Sequence, residues 1–353
     1  MYTKCKEKKK EKMINLKNDY CYIAHHKILE KMMALENEAN PGYGEDKHSE
    51  NAKRIILKLV DNPNSDVHFL VGGTITNKVF ISHVLKPYEA VISCDSGHIN
   101  VHETGTIEES GHKILLVPNK EGKIKIDSLK EVLSKHTDCH MVKPKLVYIS
   151  NPSEYGTIYS LKELEELSSF CKENHLFFYV DGARLASALT CDQNDISLKD
   201  LGRLTDAFYI GGTKNGAVLS EALVINNPSL NEEFRYSIKH FGGMYAKGFV
   251  AGIQFETLFE EDLFFSIAKK QNELAKELTN GLKELNVKLF VESPTNQVFC
   301  IFKEIEAKRI MNKVDCEIFE KQKDFVVLRF VVNYLNTNID IDETLKVVKD
   351  SLI

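Results

Sequence analysis

The stretch that decides the fold begins with LFFYVDGARLASALT (residues 176–190) and continues, after a polar connector, with TDAFYIGGTKNGA (residues 205–217). In the first part, the apolar run 176–180 has no polar interruption and ends on Asp181. Such a run is typical of a strand that is buried on both faces of a parallel sheet. The second part repeats the pattern and then enters glycines that surround Lys214. Strand ends of this kind are where open α/β sheets bind ligands.

An aspartate and a lysine at the carboxyl ends of two strands fit the chemistry of pyridoxal 5'-phosphate. The lysine amine forms a Schiff base with the aldehyde of this cofactor, and the aspartate pairs with the pyridine nitrogen, which keeps the ring protonated and electron-accepting. Taken alone, Lys214 would be a solvated surface residue and Asp181 a turn or helix-cap residue. Because both follow apolar strands in this order, we assign Lys214 and Asp181 to the cofactor.

The motifs VDGAR (residues 180–184) and DAFYIGGTKNG (residues 206–216) resemble the threonine aldolase and β-eliminating lyase family of fold-type-I pyridoxal phosphate enzymes. The resemblance extends from about residue 18 to the C-terminus. It implies an α/β fold, with a mostly parallel sheet in a large cofactor-binding domain and a small α+β domain at the C-terminal end. It also implies that Arg184 anchors cofactor and substrate, and that Thr213 contacts the cofactor.

Composition restricts the classes of partner. With 353 residues, of which 43% are hydrophobic, the chain suits a globular enzyme with one large and one smaller domain. The net charge of -5 gives no reason to expect nucleic acid or an anionic membrane surface as a partner. No apolar run approaches the roughly 18 to 20 residues of a membrane span, so we expect a cytoplasmic protein.

Cysteine and histidine spacing argues against disulfides and against a metal. The eight cysteines are irregularly placed and are interpreted as reduced thiols. His136, Cys139 and His140 lie close together, but their spacing fits no zinc pattern well, so we predict the end of a helix there and no metal site.

The predicted organisation has three parts. Residues 1–12, MYTKCKEKKKEK, are a lysine-rich run without apolar periodicity, which is typical of a solvated tail. Residues 13–250 form the large domain, which starts with a helical segment at 13–60. Residues 251–353 form the small domain, and the apolar periodicity of residues 249–285 predicts one long bridging helix into it.

A phosphate site is predicted after the strand at residues 67–71, where Gly72-Gly73-Thr74 opens a helix. Backbone N–H groups and the positive end of a helix dipole would meet at this point. A plain strand-to-helix turn gives the same pattern. The family's phosphate-binding segment falls here, which implies Gly73 and Thr74 as cofactor contacts.

The run SGHINVHETG (residues 96–105) resembles the family segment whose histidine stacks on the cofactor ring. The resemblance assigns this role to His98 rather than to His102. An imidazole suits it because the ring is planar. Glu103 matches a family glutamate near the same site, which implies proton handling or positioning.

The segment NPSEYGT (residues 151–157) departs from the family pattern, because Glu154 occupies the position of a histidine that is thought to handle the substrate hydroxyl. Glu154 could take the same proton if burial raises its pKa, or it could indicate a different β-substituent. The implied reaction is retro-aldol cleavage of L-threonine or L-allo-threonine to glycine and an aldehyde. β-Elimination, transamination and non-catalytic cofactor binding are the alternatives.

Substrate recognition is predicted on the small domain, where Arg329 interrupts the apolar strand VLRFVVN (residues 327–333). A buried arginine is costly unless its charge is matched, either by a substrate α-carboxylate or by a structural ion pair. The family places its carboxylate-binding arginine at this strand. Asp19 and Tyr43 are further candidates for substrate binding, with Tyr43 directed to a neighbouring subunit, so the resemblance implies a homodimer or homotetramer with shared active sites.

Overall fold

The computed structural model describes residues 13–352, and strands and helices alternate along most of this range. Up to residue 248 the elements are β1 (Ile14–Asn15), α1 (His26–Ala34), α2 (Lys47–Val60), β2 (Asp66–Leu70), α3 (Gly73–Val84), β3 (Glu89–Cys94), α4 (His98–Val101), α5 (Thr106–Glu109), β4 (Ile114–Val117), α6 (Ile126–Lys135), β5 (Lys143–Ser150), α7 (Leu161–Glu173), β6 (Phe177–Asp181), α8 (Leu185–Thr190), α9 (Leu198–Leu204), β7 (Ala207–Gly211), β8 (Glu221–Ile225) and α10 (Phe234–His240). The remaining elements are α11 (Phe249–Phe259), α12 (Leu263–Glu284), β9 (Lys288–Val291), β10 (Gln297–Phe302), α13 (Glu304–Met311), β11 (Val314–Asp315), β12 (Glu317–Lys321), β13 (Val326–Val331) and α14 (Asn338–Ser351). The predicted tail at residues 1–12 lies outside the described residues.

Within the described residues, the largest sheet has seven strands in the order β2-β8-β7-β6-β5-β3-β4. Strands β3 to β7 are parallel to one another, whereas β8 runs antiparallel to both β2 and β7. Every residue of β3, β7 and β8 is buried, which explains why these segments consist mainly of apolar residues. The predicted α/β fold with a mostly parallel sheet is confirmed.

The carboxyl ends of β5, β6 and β7 meet at one edge of this sheet. Ser150 at the end of β5 lies directly opposite Asp181 at the end of β6. The turn after β6 passes close to β7, because a Cβ atom at Gly182 would lie only 1.9 Å from the carbonyl oxygen of Tyr209. Glycine at this position therefore lets Asp181 approach the turn that carries Lys214.

The C-terminal unit contains a four-stranded antiparallel sheet in the order β12-β13-β10-β9. The sheet packs against α12 and α13, and α14 packs against these two helices. Its apolar core also includes Ile14 and Leu16, because β1 pairs in parallel with β11. The N-terminal segment thus joins the C-terminal core, although the sequence analysis assigns it to residues 13–250. The apolar alternation at residues 14–16 is too short to reveal this pairing. The division at residue 250 otherwise stays a prediction.

The prediction of a single bridging helix over residues 249–285 is wrong, because the helix is interrupted between α11 and α12. Glu261 and Asp262 adopt left-handed backbone conformations, with φ of 52° and 56°. Glu260 and Glu261 form ion pairs with Lys31 and Lys27 of α1 at 3.3 and 2.8 Å. The apolar periodicity continues on both sides of this short acidic segment, so the sequence pattern hides the break.

Two further observations concern solvent and redox environment. None of the described helices combines the length and the apolar composition that crossing a bilayer requires. The cysteines within residues 13–352 are present as free thiols, and most of them are buried.

Candidate active site

A cavity of about 570 Å³ opens at the carboxyl ends of β5, β6 and β7, and residues of β12 and β13 also line it. The predicted site residues that line this cavity are Gly73, Thr74, His98, Glu154, Asp181, Arg184, Thr213, Lys214 and Arg329. Glu103 and Asp19 lie behind the lining, each hydrogen-bonded to a lining residue. One edge of the sheet therefore collects side chains from distant parts of the chain.

Asp181 is held as a buried carboxylate by several donors. Its Oδ2 atom accepts hydrogen bonds from Asn77 Nδ2 at 2.9 Å and from the Tyr148 hydroxyl at 2.7 Å, and Tyr209 adds another. Burial raises the pKa of Asp181, but His98 and these hydrogen bonds lower it by more, so that the pKa lies below the usual value. An ionised acid at this depth is suited to pair with a protonated ring nitrogen.

His98 is fixed by a buried carboxylate. Its Nδ1 atom lies 2.8 Å from Oε1 of Glu103, which is only 2% exposed. Asn77 donates to both Glu103 and Asp181, at 2.8 and 2.9 Å, and thereby links the two acids. Glu103 acts from behind the imidazole, and we interpret it as a positioning residue for His98.

Lys214 lies in the short 3-10 turn Thr213–Asn215 that follows β7. Burial lowers the pKa of its ammonium group, and the neighbouring Arg184 guanidinium lowers that pKa further. Asp19, Asp181 and Glu221 oppose the shift without reversing it. A lowered pKa favours the neutral amine, which is the form that attacks an aldehyde.

The turn between β2 and α3 forms an open N-terminus that lines the cavity. The N-cap residue is Gly72, which has no side chain to bond the N–H groups of the first turn. A Cβ atom at Gly73 would lie 2.8 Å from the Tyr209 hydroxyl oxygen, so the close approach requires glycine. N–H donors and the positive end of the helix dipole suit a phosphate group at this point.

Arg184 is held by a buried ion pair with Asp19. Its Nε and Nη2 atoms donate to the two carboxylate oxygens at 2.7 and 3.0 Å, and Asn296 donates to Oδ2 of the same acid at 3.0 Å. Burial raises the pKa of Asp19, but the Arg184 guanidinium lowers it by more, so the carboxyl stays ionised. Asp19 therefore holds Arg184 from behind the cavity lining, and its predicted part in substrate binding stays a prediction.

We expect the Asp19→Asn variant to lose about 3 kcal/mol of unfolding free energy, because the buried Arg184 charge would lose its partner. Urea denaturation measures this loss. The control is Asp315→Asn, which removes an exposed ion pair with Lys17 at 3.5 Å and should change stability by less than about 1 kcal/mol. Equal losses in the two variants would contradict the assignment.

Arg329 lies on β13, and its side chain is 15% exposed at the cavity wall. It forms an ion pair with Glu317, the first residue of β12. Strand β12 was not predicted from the sequence, because EIFEK carries charges at three of five positions and lies at a sheet edge. Of the two partners considered for Arg329, a structural ion pair is present, and pairing with a substrate α-carboxylate stays a prediction.

Glu154 presents a carboxyl group with one satisfied and one unsatisfied oxygen. Oε1 accepts hydrogen bonds from the Ser150 hydroxyl at 2.7 Å and from the His98 backbone N–H at 3.0 Å. Oε2 is buried and has no hydrogen-bond partner among the described residues. Burial raises the pKa of Glu154. A buried unsatisfied oxygen beside a cavity is suited to a ligand that exchanges a proton.

Asn77, Tyr148 and Glu221 belong to the site but were not predicted from the sequence. Glu221 lines the cavity at the start of β8, and its Oε2 atom accepts the Gly212 backbone N–H at 2.8 Å. Burial raises the pKa of Glu221 to about 7. For Glu221 the available signal was an acid that directly precedes an apolar run, whereas Asn77 lies within a helix and Tyr148 within a strand, where no comparable signal exists.

Tyr43 lies outside the cavity of its own chain. It is 46% exposed, and Lys239 Nζ lies 4.8 Å from the centroid of its ring. Its backbone is left-handed, with φ of 62°. A contact between Tyr43 and a neighbouring subunit's site stays a prediction.

A parallel sheet that brings a lysine, a buried aspartate and an open helix N-terminus to one edge defines a fold-type-I pyridoxal 5'-phosphate enzyme. Residues 19–305 match the family model described as β-eliminating lyase. The chain belongs to the β-eliminating lyase family.

Individual relatives agree with this membership. The chain is 30% identical over 294 residues to the low specificity L-threonine aldolase of Pseudomonas aeruginosa, covering 80% of this chain and 84% of that protein. It superposes on a threonine aldolase structure from Leishmania major with a TM-score of 0.94 and 41% identity, covering 95% and 98% of the two chains. A mutant aspartate aminotransferase of Thermus thermophilus gives a TM-score of 0.73 at 13% identity, with 97% and 92% coverage, which shows the fold alone.

Proposed function

We propose that this chain cleaves a β-hydroxy-α-amino acid, such as L-threonine or L-allo-threonine, to glycine and an aldehyde. The observation that carries the proposal is the unsatisfied Oε2 atom of Glu154, which lies buried at the cavity that Lys214 and Asp181 also line. Retro-aldol cleavage needs a group that receives the β-hydroxyl proton, and Glu154 is a carboxyl with a free acceptor oxygen. The threonine aldolases among its relatives support the same reaction.

The cavity residues fit pyridoxal 5'-phosphate. Asp181 would pair with the ring nitrogen, the turn at Gly73 and Thr74 would hold the phosphate, and His98 would lie against the ring. Lys214 would hold the aldehyde, which its lowered pKa favours. When bound, the cofactor supplies an aldehyde for the substrate amine and an electron-accepting ring for the bond that breaks at Cα.

The protein groups then divide the work between binding and proton transfer. Arg184 and Arg329 place positive charge at the cavity wall, where a substrate α-carboxylate would bind. Glu154 receives the β-hydroxyl proton at Oε2, so that the Cα–Cβ bond can break and the distal fragment leaves as an aldehyde. Asp181 stays ionised throughout, because the charge of His98 and the hydrogen bonds to the carboxylate hold its pKa low.

The decisive experiment supplies the holoenzyme with L-threonine or L-allo-threonine and assays the products. Acetaldehyde together with glycine supports the proposal. Pyruvate together with ammonia would indicate β-elimination, which the glutamate at the usual histidine position keeps as the second candidate. Bound cofactor without turnover of any amino acid would indicate a binding protein.

We expect Glu154→Gln to lower kcat by about 10²-fold or more, because the amide cannot receive the hydroxyl proton. In the parent enzyme, activity should rise with pH as the Glu154 carboxyl, whose pKa burial raises, loses its proton. This limb of the pH profile should be absent in the variant.

The control is Glu166→Gln, whose side chain is 55% exposed on α7 and should leave both kcat and the profile unchanged. An unchanged kcat in Glu154→Gln would instead assign the proton to a bound water or another group.

The proposal places the protein in the cytoplasm. It also includes assembly into a homodimer or homotetramer with shared active sites. It is supported by the exposed position of Tyr43 away from its own cavity, and by the exposed apolar side chains of Tyr20, Val71 and Val101. Tyr20 and Val71 line the cavity, where a second subunit could cover them. Light scattering would measure the assembly directly.

A further inference from the structure

The guanidinium of Arg329 uses one of the two donors, Nη2 and Nε, that lie along one side of the group. Its Nη2 atom donates to Oε2 of Glu317, whereas its Nε atom is buried without a hydrogen-bond partner among the described residues. The Nε–H and one Nη–H of a guanidinium point in parallel and match the two oxygens of one carboxylate. Leaving one of the two donors buried and unsatisfied is costly.

Arg184 shows how a complete pair is built in the same cavity. Its Nε and Nη2 atoms donate to both oxygens of Asp19, which is 2% exposed and also accepts from Asn296. Asp19 is therefore a permanent partner, because water could not replace these contacts in the interior. Within residues 13–352, the corresponding edge of Arg329 holds one of its two possible bonds.

Glu317 differs from Asp19 in its surroundings. It is the first residue of the edge strand β12, directly opposite Arg329 in the sheet register. Its side chain is 47% exposed, and it lines the cavity. The Glu317 carboxylate can therefore turn into water without leaving a buried charge unpaired, provided that another anion takes its place on Arg329.

The arrangement also explains why a replaceable anion is useful. Burial lowers the pKa of Arg329, and the positive charge of Arg184 lowers it further, so an unpaired Arg329 would be unfavourable in the empty cavity. Glu317 offsets that charge until a ligand arrives. An α-carboxylate that occupies both Nε and Nη2 would satisfy the buried Nε atom as well.

We propose that Glu317 is a displaceable partner of Arg329, which a substrate α-carboxylate replaces on the Nε and Nη2 atoms of the guanidinium. The inference rests on the proposed function only in taking an α-amino acid as the ligand. It makes Glu317 a specificity-determining residue, because a ligand without an anionic carboxylate cannot replace it. Glu317 reduces the affinity for every α-amino acid by competing for Arg329.

The test measures ligand affinity of the holoenzyme by calorimetry, with glycine as the carboxylate ligand and glycinamide as its neutral counterpart. In Glu317→Gln, we expect the Kd for glycine to fall by about three- to tenfold, because the neutral amide competes weakly for the guanidinium. The Kd for glycinamide should not change. The matched control is Glu320→Gln, a partly exposed acid on the same strand that accepts a hydrogen bond from Gln322 Nε2.

An unchanged Kd for glycine in Glu317→Gln overturns the proposal. A higher Kd also overturns it, and would mean that Glu317 orients Arg329 for binding. Absence of glycine binding to either protein overturns it as well, since Arg329 would then hold no α-carboxylate. Thermal unfolding of each variant verifies that the fold is intact.

The two proposals fail separately. If the parent enzyme releases no aldehyde but Glu317→Gln tightens glycine binding, the aldolase function falls and the role of Glu317 stands. If aldehyde is released and the glycine Kd does not shift, only the role of Glu317 falls.

Discussion

Replacing Lys214 with alanine is expected to abolish turnover, with a loss on the order of 10³-fold or more. Among the described residues, Lys214 is the only lysine that lines the cavity. Burial and the neighbouring Arg184 guanidinium lower the pKa of its ammonium group, which favours the neutral amine. Without it, the cofactor aldehyde has no lysine partner in the site. The variant should bind pyridoxal 5'-phosphate reversibly and lose it on dialysis.

Two measurements check this result: the rate of substrate cleavage, and the amount of cofactor that borohydride reduction fixes covalently to the protein. The control variant is Lys247→Ala, because Lys247 lies outside the cavity lining. This variant should retain both the rate of substrate cleavage and the amount of covalently fixed cofactor. Covalent cofactor in Lys214→Ala would refute the assignment of Lys214 and every role that depends on it.

Asp181→Asn is expected to produce the second largest loss, of about 10²-fold to 10⁴-fold in kcat. An amide cannot match the positive charge of a protonated pyridine nitrogen, so the ring would accept electrons less readily. The same substitution would place an amide nitrogen near the donors of Asn77 and Tyr148, which now satisfy the carboxylate at 2.9 and 2.7 Å. We therefore expect some loss of stability as well.

A control separates these two effects. Asp206 precedes β7 at the opposite end of the sheet, where its Oδ2 atom accepts the Phe178 backbone N–H at 2.8 Å. Asp206→Asn should lower the unfolding temperature while kcat at saturating cofactor stays near the parent value. If Asp181→Asn loses stability to the same extent but keeps its kcat, then Asp181 has a structural role only.

The residues that sequence reasoning identified share a local signal. Asp181 and Lys214 follow apolar strands, and buried strands of a parallel sheet end together at one edge, so the pattern alone brings them to one site. Glu154 was found because it interrupts a familiar motif. Its unsatisfied Oε2 atom depends on the surrounding fold and could not be read from the motif.

Other features of the site depend on contacts between distant segments. Asp19 reaches Arg184 across 165 positions, and no periodicity near residue 19 indicates this contact. Asn77 lies in an apolar helix, where an amide is easily taken for an incidental polar residue. Glu317 lies on a charged edge strand, whose composition favours a surface loop.

The ion pair between Asp19 and Arg184 also restricts how the molecule can move. Asn296, which precedes β10 of the C-terminal unit, donates to Asp19, whereas Arg184 follows β6 of the large sheet. The contact thus fastens the two units together at the ligand cavity itself. A hinge rotation that swung the C-terminal unit over a ligand would have to break either the hydrogen bond from Asn296, at about 1.5 to 3 kcal/mol, or the ion pair itself, at about 3 kcal/mol or more. We therefore expect a ligand to enter through movements of single side chains, such as the release of Glu317 from Arg329, while the backbone of the two units keeps its arrangement.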